Sequence, residues 1–267
     1  IFRCDASPLI GSGHVMRCLT IANDLRERGF DCIFWSSQET ALTVPFILDS
    51  GYQVLLSTEN PRFAQKADAL ILDHYGLDAT AESKFRAFAE RIIVIDDLAN
   101  RSHDCDVLID STLGRLPENY KKLVPENATL LTGARYAALR PAFLKNRAKA
   151  IARRQSGAGE IRRILVSLGS TDPHNLTTRV MAALQGSELA IDVIIGSGCP
   201  HLQSIKQVAQ NMQDSGMDIK LHMNVSNIEA LMVNADLAVG AGGTTSWERC
   251  ALGLPTVLIE VADNQKD

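Results

Sequence analysis

The chain has no Cys-x-x-Cys pair. Its six cysteines, Cys4, Cys18, Cys32, Cys105, Cys199 and Cys250, are scattered, several of them inside apolar stretches such as DCIFWS. That spacing excludes a zinc ribbon or a disulfide framework and reads as reduced, buried thiols. No apolar run approaches the roughly 20 residues needed to cross a bilayer, so no membrane span is expected. Positive charge is not in excess: 27 Lys and Arg against 31 Asp and Glu give a net charge of -4, which argues against a nucleic-acid binder held by phosphate contacts. Small molecules are the expected partners. There is no short repeat and no low-complexity tract. The sequence opens at Ile1 without a basic-then-apolar secretory segment, and a cytoplasmic protein is the expectation. With 267 residues, 46% of them hydrophobic, the chain can fill one large or two ordinary domains.

What is present is an alternation of short apolar or β-branched runs with helical stretches. IFRCD precedes a helix over 13–28; FDCIFW, a helix before Gly51 and QVLLS follow; then come ALILD, a helix near 80–90, RIIVID and VLIDS. This βα series predicts a parallel sheet covered by helices. In the first helix Met16, Leu19, Ile21, Ala22 and Leu25 form the apolar side, and Gly29 supplies the stop. The basic helix LKNRAKAIARR runs into the polar segment QSGAGE, which reads as a linker, with the basic run a solvated helix face at a domain junction. A second series starts at RRILVSLG and continues through LAIDVIIG, DIKLH, DLAVGAGG and PTVLIEV, with helices between. Two successive α/β domains, 1–154 and 161–267, are expected. A doubly wound domain would add a covering helix after the last strand, so further C-terminal residues are expected too.

The densest chemistry lies in RCDASPLIGSGHVMRCL, residues 3–19: strand, glycine-containing loop, and His14 at the mouth of a helix. Glycines there let backbone N–H groups approach a ligand, and a helix N-terminus favours an anion. The dinucleotide fingerprint fails because Met16 stands where its third glycine belongs, and the P-loop fails for want of Lys followed by Ser or Thr. The helix dipole disfavours imidazolium, which predicts a His14 that is neutral near pH 7 and able to accept a proton. ILDHYG ends an apolar strand in Asp73, His74 and Tyr75, side chains that would face the crevice at the carboxyl ends of the strands. Asp96 and Asp97 invite a metal, but successive side chains diverge, and the Asp104-Cys105-Asp106 pattern runs straight into a strand; no metal is expected at either.

In the second half, SLGSTDPHN places Gly169 and Thr171 after a strand, with Asp172 as expected N-cap and Pro173 as first helical residue. GAGGTTSWE again follows a strand and opens a helix with Gly242, Gly243, Thr244 and Thr245, while Glu248 one turn inside could reach a ribose diol. Together these turns suit a nucleoside diphosphate.

Taken in order, R-x-D-x-S, G-S-G-H-V-M-R, D-H-Y-G, Asp96-Asp97, G-x-T-D-x-x-N, G-A-G-G-T-T-S-W-E, A-L-G-L-P and D-N-Q resemble the PseG family, the UDP-2,4-diacetamido-2,4,6-trideoxy-β-L-altropyranose hydrolases of pseudaminic acid biosynthesis. The resemblance implies the GT-B fold of MurG-like enzymes, two Rossmann-like domains facing each other across a cleft. It implies UDP held by the C-terminal domain and the sugar facing the N-terminal loop. On that pattern His14 is the general base toward water, Tyr75 and Asn264 position sugar and water, and UDP leaves with inversion. Asp5, the acid of R-x-D-x-S, Gly13 and Arg17 of G-S-G-H-V-M-R, Gly169 and Thr171, and Gly242, Gly243, Thr244, Thr245 and Glu248 would bind the UDP-sugar. The resemblance implies no cofactor and flagellin as the destination of the final sugar; a monomer is expected. A glycosyltransferase with a UDP-sugar donor and a non-catalytic nucleotide-sugar binding module are the readings that stay open beside it.

Overall fold

A computed structural model describes residues 1–7, 10–56, 65–157, 159–169, 171–196 and 198–261. The chain divides into two compact units, Ile1–Ala138 and Leu139–Asp267.

In the first unit, β1 (Phe2–Cys4), α1 (Gly13–Glu27), β2 (Ile33–Ser36), α2 (Gln38–Thr43), β3 (Gln53–Leu56), β4 (Ala67–Asp73), α3 (Ala79–Phe85), β5 (Ala89–Ile95), β6 (Val107–Asp110) and β7 (Thr129–Thr132) alternate as the sequence pattern requires. The seven strands form one parallel sheet in the order β3-β2-β1-β4-β5-β6-β7. The order reverses between β1 and β4, the point at which open α/β sheets leave a crevice at their carboxyl ends.

α1 buries His14, Val15, Cys18, Leu19 and Ala22, while Met16, Ile21 and Leu25 are only partly covered at the rim of the same cluster. The stripe is rotated from the predicted one because Cys18 packs as a small hydrophobe, and its neighbours follow at helical spacing. Gly29 ends the helix at a positive φ of 89°, as expected, with its N–H donated to Arg26 O. β7 was not foreseen. It is a four-residue edge strand, TLLT, none of whose residues is fully buried, so no strong apolar pattern betrays it.

The second unit comprises α4 (Pro141–Ser156), β8 (Arg163–Ser167), α5 (Leu176–Ala183), β9 (Ala190–Ile195), α6 (Leu202–Asp214), β10 (Ile219–Met223), α7 (Ile228–Asn234), β11 (Leu237–Ala241), α8 (Thr245–Ala251) and β12 (Thr256–Ile259). Its sheet is parallel in the order β10-β9-β8-β11-β12, with its own reversal between β8 and β11. Among the described residues no helix is long and apolar enough to cross a membrane.

The division falls at Ala138/Leu139, ahead of the expected 154–161 boundary, because α4 packs on α7 and α8 with Phe143 and Ala150 buried. Its basic run is also more than a solvated face. Arg154 donates to Leu252 O (2.8 Å), Met232 O (2.5 Å) and Ala235 O (3.1 Å), Arg147 donates to Ala251 O, and Arg153 pairs with Asp236 at 2.7 Å. Cations at the carbonyl ends of α7 and α8 satisfy orphan acceptors and complement the helix dipoles. Arg154→Met strands two of those acceptors, Leu252 O and Met232 O, since Arg153 also donates to Ala235 O; it is expected to cost about 2–4 kcal/mol in urea unfolding, and a loss below about 0.5 kcal/mol would contradict the capping role.

Candidate functional site

The carboxyl ends of β1, β4 and β5 collect most of the first unit's chemistry. Asp73, the last residue of β4, is fully buried and receives a bidentate pair from Arg17 of α1, Nε to Oδ2 and Nη2 to Oδ1, both at 2.7 Å. His14, in the first turn of α1 and 6% exposed, places Nδ1 2.6 Å from Asp73 Oδ1 and 3.0 Å from Asp73 O. Nδ1–H therefore donates to Asp73, leaving Nε2 as the nitrogen open to other chemistry. Tyr75 stands edge-on to the imidazole, ring centroids 4.5 Å apart and planes at 90°, and donates its hydroxyl to Asp97 Oδ2 at 3.3 Å. Arg17 Nη1 lies 3.7 Å from that same Asp97 oxygen. His14, Asp73, Arg17, Asp97 and Tyr75 thus close a ring of contacts assembled from α1 and the ends of β4 and β5.

The electrostatics follow from this ring. Burial alone would push the Asp73 carboxyl up, but Arg17 and His14 outweigh it and hold Asp73 well below the usual carboxylate range. Burial would lower the His14 imidazole; the Asp73 carboxylate prevails and raises it. From the sequence the dipole of α1 is expected to favour the neutral imidazole; the Asp73 carboxylate in direct contact acts in the opposite direction, toward the cation. Burial, aided by Asp73 and Asp96, lifts the Asp97 carboxyl despite Arg17, and burial together with Asp97 lifts the Tyr75 phenol.

Several residues singled out from the sequence serve inside the fold. Asp5 accepts both terminal nitrogens of Arg3 (2.6 and 2.8 Å), His74 Nε2 (3.1 Å) and the N–H of Ser37 (2.7 Å), which ties the ends of β1, β2 and β4 together. Those bonds engage both of its oxygens and brace the crevice. Asp96 and Asp97 diverge as their adjacency requires: Asp96 takes Arg101 (2.7 Å), Tyr120 (2.8 Å) and the N–H of Ala99, away from the His14 ring. Asp104 and Asp106 both grip Arg86, and burial pushes the intervening Cys105 thiol up to about 12. Among the described residues no cluster of three or more His, Cys, Asp or Glu forms a metal site. Gly13 is the first residue of α1. Asn264 lies outside the described residues.

In the second unit the two glycine turns emerge side by side, because β8 and β11 are adjacent and Ser167 is paired with Gly240. Gly169 takes a φ of 99°, open to glycine, and Thr171 is buried. α5 begins at Leu176, later than expected, and Asn175 rather than Asp172 holds the N-cap position; Asp172, three residues before it, accepts from the N–H groups of Leu176 (2.9 Å) and Thr177 (2.8 Å), while Pro173 precedes the helix. Gly242 and Gly243 lead into Thr244 and Thr245 at the start of α8. Glu248 is buried and binds Arg140 through Oε1 at 3.1 Å; burial raises its carboxyl against the pull of Arg140. The functional residues that sequence reasoning passed over are Asp73 as the partner of His14 and Asp97 as the partner of Tyr75. The signal for the first was an apolar strand ending in an acid, ILDHY.

No protein-family model matches the chain. MurG of Acinetobacter baumannii superposes with a TM-score of 0.62 over 99% of this chain and 80% of that one, at 13% identity. The fold is that of the GT-B glycosyltransferases. Anabaena HepE in complex with UDP-glucose superposes with a TM-score of 0.54 over 96% of this chain and 79% of that one, also at 13% identity. By sequence the GT-B chain is similar over 98% of its length to the uncharacterized protein MJ1062 of Methanocaldococcus jannaschii, at 26% identity, and spans 56% of that relative. It is 24% identical over 87% of its length to the UDP-2,4-diacetamido-2,4,6-trideoxy-β-L-altropyranose hydrolase of Campylobacter jejuni, of which it covers 80%. The spore coat polysaccharide biosynthesis protein SpsG of Bacillus subtilis is 24% identical over 96% of this chain and 75% of that protein. The resemblance read from the motifs is thus matched along most of the chain.

Proposed function

We propose that the protein is a UDP-sugar hydrolase that cleaves the anomeric C–O bond of UDP-2,4-diacetamido-2,4,6-trideoxy-β-L-altropyranose, releasing UDP and the free sugar with inversion, in pseudaminic acid biosynthesis. The observation that carries this reading is the His14–Asp73 dyad at the reversal point of the first sheet, one ring nitrogen held by a buried carboxylate and the other left for a proton. Similarity to the Campylobacter jejuni hydrolase supplies the substrate.

In the proposed step His14 Nε2 takes a proton from water as the water oxygen bonds to the anomeric carbon. The bond to the UDP oxygen breaks on the opposite face, and the electron pair leaves with UDP. Asp73 accepts from Nδ1–H throughout and stabilises the imidazolium that forms, as the acid of a Ser-His-Asp triad does. Tyr75 holds the imidazole plane by its edge contact, and with Asn264 it positions sugar and water. The turns Gly169–Thr171 and Gly242–Thr245 bind the diphosphate, and Glu248 the ribose. UDP is a good leaving group, so the step requires no metal.

The discriminating experiment follows UDP release in EDTA with and without candidate sugar acceptors. A hydrolase releases UDP at full rate into water; strict dependence on an acceptor would establish a transferase instead, and tight binding without release a binding module. The pH profile follows from the dyad. A base works only when deprotonated, and Asp73 raises His14, so the acidic limb of kcat/KM is expected above the ordinary histidine value of about 6.5. A limb below that value would contradict the assignment.

A further inference from the structure

Arg249 of α8 is 2% exposed, and among the described residues no carboxylate lies within ion-pair distance of it. The adjacent Glu248 is committed to Arg140. The Arg249 guanidinium donates from Nη2 to Ala241 O (2.6 Å) and Ser246 Oγ (3.0 Å) and from Nη1 to Thr245 Oγ1 (3.4 Å), whereas its buried Nε has no partner. It lies so flat against β11 that a Cβ built on Gly240 would overlap it.

Arg154 in the same unit offers a measure of how unusual this is. Both arginines have backbone oxygens among their partners and both are pulled down by burial, but Arg154 is only partly buried and sits at the carbonyl ends of α7 and α8, where the helix dipoles welcome a cation. The Arg249 guanidinium reaches back to the first turn of α8, where the dipole opposes it, and burial adds to the penalty and lowers its proton affinity. Glu248, itself paired with Arg140, offsets only part of that charge from a distance, and burial prevails; an anion at the turn supplies the remainder. Its three acceptors are the residue ahead of Gly242-Gly243 and the two that follow Thr244, so the same bonds fix both ends of the turn.

We propose that Arg249 is a positioning residue for a nucleoside diphosphate: it clamps the Gly242–Thr245 turn from beneath and supplies the buried positive charge that the diphosphate neutralises. This rests on the assignment of that turn to UDP made above. Arg249 itself touches no ligand, so its contribution separates by charge: UDP affinity depends on it and uridine affinity does not.

The test is calorimetric titration of UDP and of uridine into the wild-type chain, R249M, R249Q and R249K, with thermal melts of each. The wild-type preference for UDP over uridine is expected to fall by about tenfold or more in R249M and R249Q and to stay within about threefold in R249K, which keeps the charge. Equal losses for the two ligands in the neutral variants, or an unchanged preference, overturn the inference and leave Arg249 a structural brace. If R249M does not fold, the Gln and Lys variants decide by the same comparison. Failure of the wild-type chain to bind UDP would instead overturn the functional assignment, so the two failures are told apart.

Discussion

His14→Asn is expected to lower turnover by about 10²–10⁴-fold while leaving the affinity for the UDP-sugar within about threefold, the scale on which a positioned general base acts. Asparagine keeps a polar group in the first turn of α1 and can still donate toward Asp73, but no nitrogen remains to take a proton from water. Since His14 is nearly buried and bonded to one residue, the substitution tests chemistry more than folding. The measurement is steady-state UDP release beside calorimetric binding. Unchanged turnover would remove His14 from the mechanism; a matched loss of binding would make it a ligand contact.

Asp73→Asn carries the second large effect, and it acts on two partners at once. The carboxylate accepts the Arg17 fork and the His14 Nδ1–H, so the amide loses a charge-assisted bond to each and leaves Arg17 with only the more distant Asp97. Breaking a buried pair from one side costs about 3–5 kcal/mol of stability, read here by urea unfolding. Catalysis should fall as well, since the imidazole loses the group that orients it and stabilises its cation. The sign of the pH effect is fixed by the same physics. Asp73 raises His14 against burial, so without the carboxylate burial prevails and the acidic limb of the rate profile moves to lower pH. For stability the linkage runs the other way in pH. A histidine whose folded pKa is raised contributes fully below its unfolded value and loses that contribution as pH rises through the folded value, so the wild-type advantage over Asp73→Asn from His14 is largest on the acid side. A limb that stays in place would contradict the dyad.

The legibility of these features depended on how local their causes are. β4 and β5 announce themselves through ALILD and RIIVI, continuous apolar runs of the kind that a sheet covered on both faces demands. The turn at Gly242–Thr245 was equally plain, because glycine, hydroxyl and helix start all fall within a few residues; after Gly169 the helix start was not, since α5 begins only at Leu176. The upward pull on His14 was not plain either, since the carboxylate that exerts it is 59 residues away in sequence and only the pairing of β1 with β4 brings it near. The same holds for α4, whose arginines read as a solvated face until α7 and α8 supply the carbonyls they cap. Asp5 resembled a ligand contact because the motif around it is conspicuous. Arg3, His74 and Ser37 claim it only once three strand ends are adjacent.

The central claim is that water, not a sugar acceptor, is the second substrate and that it attacks with inversion. The measurement that tests it is NMR of the sugar released in the first turnovers from UDP-2,4-diacetamido-2,4,6-trideoxy-β-L-altropyranose, in EDTA and without acceptor, recorded before mutarotation. The account predicts stoichiometric UDP and a nascent sugar of inverted anomeric configuration, both lost in step in His14→Asn. A nascent sugar of retained configuration, or no UDP release from a chain that binds the substrate, would contradict it.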